Sequence, residues 1–194
     1  MKLKLAKLIR IITIPPIMAI LMITFLHFFS KDVFITWPNW FFAILFIAIL
    51  PLLAYPFSLF FHGTPEQKRR KQRRLAIVFS ISGYIAGFVF SILSKAPNGE
   101  IIVYATYLIS GILTALLSFL TKLQSSGHAC GVSGPIAMLV YCINPYWLFA
   151  YALLPVVIWS SITLKRHTFS QLAVGSVVPI VAMLLSILLI QWIF

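Results

Sequence analysis

Two polar stretches hold most of the side chains in this sequence that could do chemistry. The first runs from Lys122 to His128 and supplies a cation, the hydroxyls of Ser125 and Ser126, Gly127 and an imidazole. The second runs from Ser160 to Gly175 and contains Lys165, Arg166, His167 and Gln171. If the second stretch opens a helix, His167, Gln171 and Gly175 follow one another at one-turn intervals and share a face. Ser125-Ser126-Gly127-His128, with Gly131 and Gly134 beyond, reads as a turn feeding a helix start. Backbone N–H groups and serine hydroxyls there favour an anion. Carboxylates are scarce: Asp32, Glu66 and Glu100 are all the chain has. A carboxylate metal site, a pair of acids for glycoside chemistry or an aspartate proton relay is therefore hard to build. Imidazoles, cations and backbone amides suit a phosphoryl group instead. Cations and amides neutralise it, one imidazole attacks it, and another protonates the leaving oxygen. That chemistry calls for no metal and no other cofactor.

The elements that must position these residues are membrane spans. Hydrophobic residues make up 61% of the chain and charged ones 9%, and the mean hydropathy is +1.04. Such a composition excludes a soluble globular domain and predicts an all-α, polytopic transmembrane helical bundle of six to seven spans. The expected spans are Ile11 to Phe29, bent by Pro15-Pro16, then Trp40 to Phe61, Leu75 to Ser94 and Ile101 to Thr121. A short apolar segment, Ala129 to Ile143, follows, then Tyr146 to Leu164, and a last span from about His167 to Phe194. The short segment is thin for a hydrocarbon core and could dip in as part of the site. Residues 1–61 read as N-terminal spans and residues 62–194 as the core that carries the site. The basic N-terminus resembles the head of a signal peptide, but the apolar run after it is of full membrane length and lacks a small-x-small cleavage site. An uncleaved first span is expected. Cys130 and Cys142 both fall in the short segment without a metal or redox spacing and read as small core residues.

Charge gives the orientation. Thirteen of the fifteen Lys and Arg residues fall on one side of this topology, six of them in an expected loop from His62 to Arg74. That side is expected to be cytoplasmic in a cell-membrane protein. Both polar stretches share it with the basic loop, because two spans separate each from the next. The expected partners are the bilayer, through anionic lipids drawn to the basic loop, and no nucleic acid.

Ser125-Ser126-Gly127-His128 and Ser160-Ser161 through His167 and Gln171 together resemble two signatures of the type 2 phosphatidic acid phosphatase superfamily. That pattern is Pro-Ser-Gly-His, an interval of 31 or more residues, then Ser-Arg, five residues, His, three residues and Asp. Here 31 residues (129–159) separate His128 from Ser160, and five separate Ser161 from His167. Gly175 matches a glycine that often follows the Asp. The variant His-Thr-x-x-Gln resembles a divergent prokaryotic branch, and the resemblance covers roughly residues 62–194. It implies a membrane lipid phosphate or diphosphate phosphatase, with His167 as nucleophile and His128 as the acid for the leaving oxygen. Ser126 and Gly127 would bind phosphate oxygens, together with Ser125 and Lys122 of the same stretch.

The departures are specific. Ser161 stands where the family has a phosphate-binding Arg, for which Arg166 or the basic loop is the expected substitute. Gln171 replaces the Asp that orients the nucleophile; its carbonyl can still hold the ring N–H and fix the tautomer, but it carries no charge. Ser125 replaces the proline. The family's first signature is absent, and Arg70, Arg73 and Arg74 are the candidates for its place. Two other readings stay open: a lipid phosphotransferase on the same fold, and a non-catalytic protein that binds anionic lipid. A transporter fits less well, because no charged residues line a span midplane.

Overall fold

A computed structural model describes residues 1–120 and 125–193, the side chains of 65 and 69 excepted. The N-terminal residues form a helix of their own, α1 (Lys2–Ile12), because cations and apolar residues interleave on it. It cannot run on. Pro15 and Pro16 lack N–H groups, and Ile14 ahead of them is extended (φ −64°, ψ 143°). The next helix, α2 (Pro15–Phe29), therefore starts afresh at a 50° bend. The expected single span from Ile11 is thus two elements, because a proline pair interrupts the helix rather than merely curving it.

The second span is α3 (Trp37–Ile44), a π-helical turn at Leu45–Ile49, and α4 (Leu50–Ser58). Pro51 has no N–H to offer the carbonyl four residues back, and the wider turn forms at that gap. Thr64 and Gln67 then make a capping box that opens α5 (Pro65–Leu93). The expected basic loop at 62–74 is therefore mostly helix. Hydropathy ends a span where charges begin, but Lys, Arg and Gln are good helix formers and the backbone continues through them. After a turn with Lys95 at φ 51° comes α6 (Asn98–Leu120).

The short segment is α7 (Gly127–Cys142). Its 16 residues span about 24 Å, less than a hydrocarbon core of roughly 30 Å. It compensates by being the interior helix: residues 132–139 are all buried, and it packs on α2, α8 and α9. A 3₁₀ segment, Pro145–Ala152, replaces the start of the expected sixth span and leads into α8 (Leu153–Thr163). The chain ends in α9 (Phe169–Ile193), packed on α6 and α7.

Five of these helical segments are long and apolar enough to cross a membrane, and a sixth crossing results if α1 and α2 count as one bent span. Large apolar side chains such as Leu184, Leu188 and Trp192 stay exposed on the outer surface, as a bilayer-embedded bundle requires. The fold is an all-α polytopic membrane bundle. Among the described residues the count is five, or six with the bent pair, against the expected six to seven, and α7 is too short to add a crossing.

Candidate active site

The two polar stretches meet. Ser126 caps α7, its hydroxyl accepting from the Ala129 N–H at 3.4 Å, and its own N–H donates to the Gln171 carbonyl at 2.9 Å. The approach needs Gly175: a Cβ there would lie 2.5 Å from the Ser126 carbonyl oxygen and 2.9 Å from its nitrogen. Both are backbone atoms, so neither can swing aside.

His167 precedes a second capping box. Thr168 Oγ1 accepts from the Gln171 N–H at 3.4 Å, and Gln171 Oε1 accepts from the Thr168 N–H at 3.2 Å. The same oxygen lies 3.1 Å from His167 Nδ1. Because a backbone N–H already identifies that atom as the carbonyl oxygen, His167 Nδ1 must be the donor. The imidazole lone pair then sits on Nε2, the nitrogen a nucleophile would use. Upstream, Lys165 takes the left-handed conformation (φ 50°) that ends α8, and the Arg166 N–H returns to the Ser161 carbonyl at 3.0 Å. The turn carries Arg166 and His167 back over the helix ends.

His128 lies in the first turn of α7, outside the candidate crossing helices. Its Nε2–H donates to the Arg10 carbonyl at 3.2 Å, which leaves Nδ1 as the second site for a proton. Burial pushes its pKa down to about 4; the Arg10 charge adds to the effect, the Arg10 carbonyl opposes it, and the His167 charge contributes least.

Both histidines line one cavity of about 1320 Å³, larger than the usual small-molecule site. Its mouth is cationic: Lys7, Arg10, Arg70, Arg73 and Arg166 line it beside a single carboxylate, Glu66. The rest of the lining is mixed: Ile47, Pro51, Ile77, Ile81 and Met138 stand beside Ser80, Tyr84, Thr106, Tyr107, Ser110 and Thr114. Glu100 is fully buried away from this cavity, accepting from Asn39 Nδ2 at 2.9 Å.

The expected phosphate ligands divide. Ser125, Gly127, Arg70, Arg73 and Arg166 line the cavity. Arg73 is half-buried and donates to Ser118 Oγ at 3.2 Å and to the Ser125 carbonyl at 3.4 Å. Ser125 Oγ is buried with no hydrogen-bond partner among the described residues, a condition that costs about 1–3 kcal/mol. Ser126 does not line the cavity: its side chain is fully buried and caps α7. Arg74 is exposed and does not line the cavity. On a helix, Glu66, Arg70, Arg73 and Ile77 share a stripe about 60° wide, and Arg74 falls about 70° from its centre. Lys122 lies outside the described residues.

Sequence reasoning missed Arg10. It was read as topological charge, yet its guanidinium reaches Ser161 Oγ at 3.4 Å across the bundle. Its neighbours hold α1 in place, Ser160 Oγ donating to the Ala6 carbonyl at 2.7 Å. The serine pair at 160–161 is therefore where α1 docks on α8. Only the helical interleaving of cations on residues 2–12 hinted at it. Compared with known proteins, the chain matches no family model, no curated protein and no solved structure.

Proposed function

We propose that this protein is a membrane lipid phosphate or diphosphate phosphatase that works through a phosphohistidine. The observation that carries the reading is the joining of two imidazoles and five cationic side chains in the lining of one cavity. In this reading the phosphate headgroup meets the cations and a polyprenyl or acyl tail lies along Ile47, Ile77, Ile81 and Met138. The spacing shared with the type 2 phosphatidic acid phosphatase superfamily supports the same conclusion.

In the proposed cycle His167 Nε2 attacks phosphorus while Gln171 Oε1 holds the Nδ1–H. The bond from phosphorus to the lipid oxygen breaks, and protonated His128 delivers its proton to that oxygen. Water then attacks the phosphohistidine and releases inorganic phosphate, with His128 as base. Arg70, Arg73, Arg166, the Gly127 N–H and the Ser125 hydroxyl, unpartnered among the described residues, offset the charge on the phosphoryl oxygens. The basic end of the bundle, and with it the site, faces the cytoplasm in this reading.

Phosphate release by purified protein in EDTA, from phosphatidic acid and from polyprenyl mono- and diphosphates, tests the proposal. Wild type is expected to turn over at least one of them. His167→Ala should reduce release to background, and His128→Asn should slow it by roughly 10²–10⁴-fold. Full activity of His167→Ala would sink the mechanism, and release from none of the lipids would leave only an anionic-lipid binder.

A further inference from the structure

We infer that Arg10, delivered by α1, is a phosphate-binding residue of the site and takes the place of the arginine that Ser161 does not provide. The inference rests on the phosphatase reading above. Three contacts fix the backbone around Arg10 beside the site. Ala6, fully buried, is pinned by Ser160 Oγ. Pro15 sits so close to α7 that a Cβ on Gly131 would come within 2.7 Å of it. Between these anchors the Arg10 carbonyl holds His128 Nε2–H and the Arg10 side chain lines the cavity mouth with both histidines. The bend between α1 and α2 lets one residue do both, since a continuous helix would carry residues 2–12 away along the α2 axis.

A serine at 161 suits this arrangement. Its short side chain leaves space at the end of α8 and its oxygen accepts from the incoming guanidinium at 3.4 Å. The guanidinium is planar, carries five donors and matches two phosphate oxygens at once. Lys2 and Lys4 on the same helix are exposed and do not line the cavity; Lys7 lines it with Arg10, but Arg10 is the one that reaches Ser161 and, through its carbonyl, His128.

The test compares wild type, Arg10→Gln, Arg10→Lys, Arg10→Ala and the control Lys4→Gln, all purified in detergent. The readouts are kcat and KM on dioleoyl phosphatidic acid and on undecaprenyl diphosphate, and the Kd for orthovanadate as a phosphoryl mimic. Arg10→Gln and Arg10→Ala are expected to raise KM and the vanadate Kd by tenfold or more. Arg10→Lys should fall between, and Lys4→Gln should match wild type. Added guanidinium ion should restore vanadate binding to Arg10→Ala, a rescue that a purely helix-docking role would not show. If Arg10→Gln stays within twofold of wild type in KM and vanadate Kd while His167→Ala is inactive, the Arg10 inference is wrong and the phosphatase reading stands. If wild type releases no phosphate, the vanadate titration alone decides: a Kd unchanged by Arg10→Gln overturns the inference, and a tenfold loss supports an anion site without turnover.

Discussion

At the scale of single residues, Gln171 carries two functions on one atom. Its Oε1 closes the capping box that starts α9 and holds the proton on His167 Nδ1. Gln171→Ala removes both. We expect kcat to fall by at least about tenfold, because the tautomer is no longer fixed, and unfolding stability to drop by about 1 kcal/mol. Gln171→Glu keeps the box, for which Glu serves as well as Gln, and adds a negative charge opposite the developing imidazolium. Its kcat should equal or exceed that of wild type. Kinetics and thermal unfolding of the two variants check this, and an inactive, folded Gln171→Glu would remove the orienting role. The pairing of His167 with Gln171 was readable from spacing alone. The capping box was equally readable, since Thr168-x-x-Gln171 is its sequence signature.

At the scale of elements, the site depends on how closely the start of α9 approaches the start of α7. Gly175→Ala would drive a methyl into the Ser126 backbone, which is itself bonded to Gln171. The expected cost is about 1–3 kcal/mol, read as a lowered melting temperature, with loss of activity as the two stretches separate. Gly127→Ala is the matched control for folding, because a Cβ there meets nothing within 4 Å. Its stability should stay within about 0.5 kcal/mol of wild type. A Gly175→Ala protein as stable as Gly127→Ala would show that the contact is soft. Hydropathy located the elements but not their ends. It stopped the third span at Leu75, whereas α5 begins at Pro65, and only a helix can sort Arg70 and Arg73 onto the cavity side and Arg74 off it. The stop reflects a scale that measures burial in hydrocarbon, while backbone hydrogen bonding continues beyond it.

At the scale of the molecule, His128 links stability to pH. Its pKa is about 4 in the folded protein against an ordinary 6.5, so between these values the unfolded chain binds more protons. The contribution is fully present above about pH 6.5 and is lost as pH falls toward 4. Melting temperatures in detergent from pH 7.5 to 4.5 should therefore decline more steeply for wild type than for His128→Asn. Parallel curves would mean that His128 is not depressed. The same depression makes the acid form scarce in the empty site at neutral pH, while attack needs the His167 lone pair, so a plot of kcat/KM against pH should be bell-shaped, its alkaline limb set by loss of the His128 proton. What the sequence could not reveal at this scale was the docking of α1. Periodicity and hydropathy are local signals, and the contact between Arg10 and Ser161 joins residues 151 positions apart. That separation has a consequence for biogenesis. A chain is synthesised from its N-terminus, so α1 emerges long before α8 and has no docking partner for most of that time. Its cations and apolar residues suit it to wait on the bilayer surface. The cavity is complete only when the last helices arrive, because Arg166, His167 and Gln171 enter its lining with them.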